Sequence, residues 1–201
     1  HTPPGGSPSA ENSIAYSYLM KRGLSRNEIH YYDLHYCSTG PFFGRIIIPV
    51  YEDQRLVYYT GRSIIDEKPK YKNPCVSKTG VLFNWAKAKV FPEVIVCEGI
   101  FSAMSVGGCA VALLGKSMDK VQESKLATVR NITILLDQDA YWDSWAVAER
   151  LWGRGCGAVS VAKMTGGKDP AEVSLDTLNQ ILVGAKLYSP INHMEVLSSD
   201  P

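Results

Sequence analysis

The sequence lacks any C-x-x-C pair. Its five cysteines, Cys37, Cys75, Cys97, Cys109 and Cys156, stand singly and are odd in number, which argues against a structural zinc site. Cys97 and Cys109 lie in apolar surroundings and read as core residues of a reducing compartment. Long apolar runs are also missing. The longest, Val94–Cys97 and Ala110–Leu114, fall far short of the roughly 20 residues of a membrane helix and fit buried strands. The start has neither the charged nor the apolar region of a signal peptide. Instead His1-Thr2-Pro3-Pro4-Gly5-Gly6-Ser7-Pro8 reads as a linker, so residues 1–12 are expected to be disordered. A cytoplasmic chain with no membrane partner is the expectation.

Net charge is nearly absent too, at +1 over 201 residues, but it is unevenly distributed. Residues 1–92 carry 12 Lys/Arg against 7 Asp/Glu, and residues 93–201 carry 9 against 13. A basic front and an acidic back suit a protein that holds a polyanion with one half and cations with the other. Two charged halves arising by chance is the plainer alternative.

The front half reads as a small α+β subdomain, residues 13–92. Ser13–Met20 has helical spacing, ended by Lys21-Arg22-Gly23. Ser25-Arg26-Asn27-Glu28 is a capping box opening a short helix to about Tyr32. Arg45–Val50 and Leu56–Thr60 form a hairpin around the polar turn Glu52–Arg55. Residues 61–74 read as a polar, basic loop or short strand, and Leu82–Lys89 as a helix. After Pro92 the rhythm changes. Apolar runs at 94–97, 110–114, 132–136 and 158–162 alternate with helical segments at 100–106, 118–128, 143–152 and 174–183. That alternation predicts a parallel sheet flanked by helices over residues 93–188. The tail, 189–201, gives no clear signal. His30, His35 and His193 lack ligand spacing, and Trp145 and Trp152, seven apart, read as core.

Two acidic motifs end apolar strands in this sheet. Glu98-Gly99 follows Val94–Cys97, and Asp137-Gln138-Asp139 follows Ile132–Leu136. The carboxyl ends of parallel strands face the ligand crevice. Gly99 would let the chain turn sharply into the next helix. An extended D-x-D would present both aspartates on one face. Converging carboxylates repel each other unless a cation joins them, and a hard cation such as Mg2+ suits oxygen donors. Singly, each motif is better explained as a helix cap; together, each at the end of an apolar strand in the same sheet, they favour a metal site.

These motifs, in this order, resemble the Toprim domain shared by bacterial-type primases, topoisomerases and some nucleases. Lys168-Asp169-Pro170, after Gly166-Gly167, is similar to the G-K-D-P segment of bacterial-type DNA primases. The likeness extends forward. Leu19–Ile29 resembles that family's R-G-hydrophobic-S helix pair, and Arg45–Val50 with Gly61-Arg62 resembles the core ahead of its Toprim domain. Pro69-Lys70-Tyr71-Lys72-Asn73-Pro74 is similar to its P-K-Y-x-N stretch, and Lys78 to the lysine before its L-Y/F step. The resemblance implies Glu98 as an acid–base or metal-binding residue, and Asp137, Asp139 and Asp169 as ligands of Mg2+ or Mn2+. It implies Lys70 and Lys78 as catalytic cations. Arg45, Arg62, Lys70, Tyr71, Lys72, Asn73, Lys78, Lys116 and Lys168 would then contact nucleotide or template. The partners implied are single-stranded DNA, ribonucleoside triphosphates, a replicative helicase and a zinc-ribbon module outside this chain. A fragment, or a stripped-down phage- or plasmid-like enzyme acting in the host cytoplasm, fits the short chain. Two departures matter: Ser102 replaces an acid four residues after Glu98, and Tyr141-Trp142 replace small or polar residues. The rivals are a Toprim nucleic-acid-binding module with weakened catalysis, and a nuclease or topoisomerase fragment.

Overall fold

In the computed structural model, residue 4 and residues 13–115 and 117–199 are described. The linker expected at 1–12 and Lys116 fall largely or wholly outside them. The chain divides into two compact units, the first ending at Ala86 and the second starting at Lys87, shortly before the change of rhythm at Pro92.

The first unit opens with helices α1 (Ser13–Lys21) and α2 (Arg26–Tyr31). The capping box is formed: Ser25 Oγ accepts the Glu28 N–H, and the Glu28 carboxylate accepts the Ser25 N–H at 2.7 Å. Four antiparallel strands follow, β1 (His35–Cys37), β2 (Arg45–Glu52), β3 (Arg55–Ser63) and β4 (Tyr71–Lys72), in that spatial order. The hairpin turn is Asp53-Gln54, both with positive φ (46° and 63°). This pairing of left-handed residues matches the twist of a two-residue hairpin loop. Of the two readings of residues 61–74, the short strand holds at both ends: β3 runs on to Ser63 and Arg62 pairs with Tyr71 of β4, with a loop between. The helix expected at 82–89 shrinks to α3 (Trp85–Ala88), because Asn84 takes a φ of 63° and breaks helical geometry ahead of it.

The second unit alternates β5 (Glu93–Cys97), α4 (Ile100–Val106), β6 (Ala110–Ala112), α5 (Lys120–Leu126), β7 (Asn131–Ile134), α6 (Tyr141–Gly153), β8 (Ala158–Val161), α7 (Leu175–Val183), β9 (Lys186–Leu187) and α8 (Pro190–Ser199). The sheet order is β6-β5-β7-β8-β9; all neighbours are parallel except the antiparallel pair β8 and β9. Val94, Val96 and Cys97 on β5 and Ile132 and Ile134 on β7 are fully buried, as central strands of a parallel sheet must be. The α/β expectation therefore holds, with a parallel-rich sheet flanked by helices. The silent tail instead contains α8. Its start is marked by Ser189, whose Oγ accepts the Asn192 N–H at 3.1 Å, followed by Pro190, a cap-then-proline signal. Trp145 is core, but Trp152 is half exposed. Trp145 stacks on His193 of α8 with centroids 5.2 Å apart and planes 11° apart. Among the described residues no helix is long and apolar enough to cross a membrane.

Candidate functional site

The acidic edge lies where β5 and β7 end side by side. Val96 pairs with Ile134, and the Leu135 N–H donates to the Val96 carbonyl at 2.8 Å. Glu98 and Asp137 therefore emerge from neighbouring strands at the same carboxyl edge. Gly99 caps α4 with a φ of −100°, and a Cβ there would meet Ser102 Oγ at an ordinary 3.4 Å. The chain passes from strand to helix there in an extended conformation that other residues can also adopt. Nor is the D-x-D segment extended: Gln138–Ala140 forms a 3-10 turn, so strand alternation does not orient Asp139. Asp139 is exposed, and Asp137 is half buried.

A third segment joins them. The Gln138 N–H donates to the Lys168 carbonyl at 2.8 Å, tying the D-x-D turn to the loop that carries Asp169. Asp169 Oδ1 accepts the Ala171 N–H at 2.8 Å, capping a 3-10 turn at Pro170–Glu172. Asp169 thus caps this turn through one of its two oxygens. Asp137 is pushed up from 3.8 to about 6, first by burial and then by the negative charges of Glu98, Asp169, Asp139 and Glu172. Its Oδ1 is buried without a hydrogen-bond partner. A buried carboxylate oxygen facing four other acids is an unfavourable arrangement for protein groups alone, and it fits a cation.

Among the described residues no three His, Cys, Asp or Glu side chains form a ready cage for an ion. The two observations differ in range: carboxylates repel one another over many ångströms, whereas coordination needs about 2.0–2.1 Å for Mg2+. Mg2+ usually keeps several waters and takes one or two carboxylates plus substrate phosphates, so it does not need an all-protein cage. Asp137, Glu98, Asp139 and Asp169 have the hard oxygen donors it prefers. Glu172 was missed from sequence. Asp169-x-x-Glu172 has the spacing of a capping box, and that signal marks it. Ser102, in the place of the acid noted above, is buried in α4.

In the first unit a cavity of about 480 Å³ is lined by residues including Tyr18, Arg62, Asp66, Glu67, Lys68 and Lys70. Its size lies in the range of small-ligand pockets. Arg62 is 8% exposed. Its guanidinium lies 5.0 Å over the Tyr71 ring, and its Nε is buried with no partner. Tyr71, expected to stack on a base, therefore has the Arg62 guanidinium over its ring. Arg45 is consumed by the fold. It is 1% exposed, donates to the Gly61 and Pro69 carbonyls at 3.2 and 2.8 Å, and pairs with Glu67 at 3.4 Å. Lys72 Nζ donates to the Pro41 carbonyl at 2.6 Å and lies 5.4 Å over the Phe42 ring, so it also holds a turn. Asn73 Oδ1 accepts from Thr60 Oγ1 at 2.7 Å, leaving its amide nitrogen to donate elsewhere. Lys70, Lys78 and Lys168 are exposed; of these Lys70 lines the cavity.

No protein-family model matches the chain. Over 149 residues it is 32% identical to the DNA primase of Geobacillus stearothermophilus, covering 67% of this chain and 25% of that protein. The chain spans a quarter to a third of the length of the curated relatives it matches. The zinc-binding and RNA polymerase domains of the Aquifex aeolicus primase superpose with a TM-score of 0.78 at 22% identity, covering 89% of this chain and 57% of that one. A primase catalytic domain bound to single-stranded DNA gives 0.74 at 18% identity, covering 90% and 75%.

Proposed function

Because this chain is a homologue of bacterial DNA primases with the fold of their catalytic core, we propose that it works as the polymerising core of a primase, making short RNA primers on single-stranded DNA. The observation that carries this reading is the buried, unpartnered Oδ1 of Asp137 among Glu98, Asp139, Asp169 and Glu172 at one sheet edge.

Asp137, with Glu98, Asp139 and Asp169, would hold Mg2+ or Mn2+. The ion, when bound, supplies positive charge to the triphosphate and to the charge that develops at the α-phosphate. The remaining chemistry belongs to the chain. Arg62 and Lys70 bind phosphate oxygens: Arg62 through its planar fork, and Lys70 as a mobile charge. Lys78, Lys168 and the Asn73 amide are further contacts for nucleotide or template. The 3′-oxygen of one ribonucleotide attacks the α-phosphorus of the next, and pyrophosphate leaves. Glu98 takes the hydroxyl proton. A helicase and a zinc-ribbon module are the partners this role calls for.

The buried Ser102 favours a second reading, a nucleic-acid-binding module with weakened catalysis. Primer synthesis with labelled ribonucleotides and Mg2+ or Mn2+ separates the two. Product that vanishes in Asp137→Ala supports the polymerase. Single-strand binding that survives the substitution, with no synthesis by either protein, supports the module.

A further inference from the structure

The loop carrying Asp169 closes on itself. Gly166 takes a φ of +77°, and a Cβ on Gly167 would lie 2.8 Å from Val173 Cγ1 and 3.3 Å from Glu172 Cβ. The missing side chain makes room for Val173 and lets the backbone of residues 167 and 172 pack closely. The result is a chain of two hydrogen bonds. The Lys168 N–H donates to Glu172 Oε2 at 3.0 Å, and the Lys168 carbonyl accepts the Gln138 N–H at 2.8 Å. Gln138 stands between Asp137 and Asp139. One acid of the loop thus reaches the D-x-D turn through backbone alone, while Asp169 Oδ1 is engaged locally with Ala171.

We infer that Glu172 is a positioning residue for the divalent-cation site: its carboxylate fixes the backbone of Lys168, which fixes the turn that aims Asp137 and Asp139. The inference rests on the reading of the acidic edge as a cation site. Groups that orient ligands in this way typically change metal affinity by about 10- to 100-fold when removed. Glu172 is exposed, so the low end applies.

Glutamine can replace glutamate as the acceptor of the Lys168 N–H but carries no charge; alanine can do neither. Mn2+ binding by the full chain, followed by electron paramagnetic resonance, and hydrogen exchange of the Gln138 amide are measured for wild type, Glu172→Gln and Glu172→Ala. About tenfold weaker Mn2+ binding and faster Gln138 exchange in Glu172→Ala, both restored in Glu172→Gln, is the expected result. Wild-type binding in Glu172→Ala overturns the inference. Equal weakening in both variants also overturns it, because the carboxylate charge rather than the hydrogen bond is then what matters. If wild type itself binds no Mn2+, the cation site fails first and the positioning role with it.

Discussion

Asp137 keeps its proton to about pH 6 in the fold, against 3.8 for a free aspartate, because burial and four neighbouring acids oppose its charge. The folded chain therefore binds more protons than the unfolded chain between those values. Stability falls as pH rises from about 4 through 6 and stays lower above. In metal-free buffer, Asp137→Asn is expected to be more stable than wild type at pH 7 and equal to it near pH 3.5. After discounting for half exposure the gain is roughly 1–2 kcal/mol. Urea unfolding at the two pH values measures it, and a variant less stable at pH 7 would contradict the repulsion. Gly61 answers to packing instead. A Cβ there would sit 2.7 Å from Phe42 Cδ1 and 3.1 Å from Arg45 Cδ, so Gly61→Ala should cost about 1–3 kcal/mol by overpacking, read from the same unfolding curves. Of these residues the sequence marked Asp137 by its place after an apolar strand. It marked Arg45 as a ligand contact, because an arginine with acceptors in a distant loop cannot be told from a free one without the fold.

Helices α5 and α6 are joined by Glu123, whose side chain is 8% exposed and accepts Arg150 Nε at 2.8 Å and Arg154 Nε at 2.9 Å. The two arginines are more exposed and can return to water; the glutamate cannot. Removing both cations leaves an uncompensated buried charge, so Arg150→Met with Arg154→Met should cost about 3 kcal/mol. Glu123→Leu, which leaves only partly solvated arginines, should cost less. Equal losses in chemical denaturation would refute the asymmetry. The capping box at Asp119, whose Oδ1 accepts the Val121 and Gln122 N–H groups at 2.8 and 2.9 Å, should be worth about 1 kcal/mol, lost in Asp119→Ala. Elements with strong local signals were legible: the Ser25 box, the β2–β3 hairpin, and the strand–helix alternation after Pro92. Those held by partners were not. β1, β4 and β9 are two or three residues long and exist because a longer strand pairs with them. The D-x-D turn is bent by a bond from Lys168, about thirty residues away in sequence.

The chain as a whole comprises two compact units, each with buried hydrophobic residues. The acidic edge belongs to the second alone, so a bound cation should stabilise that unit. With free Mn2+ at a hundred times its Kd the gain is about 2.7 kcal/mol. Calorimetry should show an Mn2+-dependent rise in the transition of residues 87–201, absent in Asp137→Ala; a shift that survives the substitution would place the ion elsewhere. At this scale the basic-then-acidic halves and the α/β class were readable from composition and rhythm, while the arginine-capped Tyr71 came only with tertiary contacts and the tail helix had only the local Ser189-Pro190 signal. The five-stranded sheet also finishes at both rims in miniature strands, three residues in β6 and two in β9. Neither rim offers a long row of unsatisfied backbone groups to another molecule. The short rims thus guard the sheet against edge-to-edge pairing between copies, and deleting Lys186 and Leu187 should uncover β8 and raise aggregation, read by light scattering.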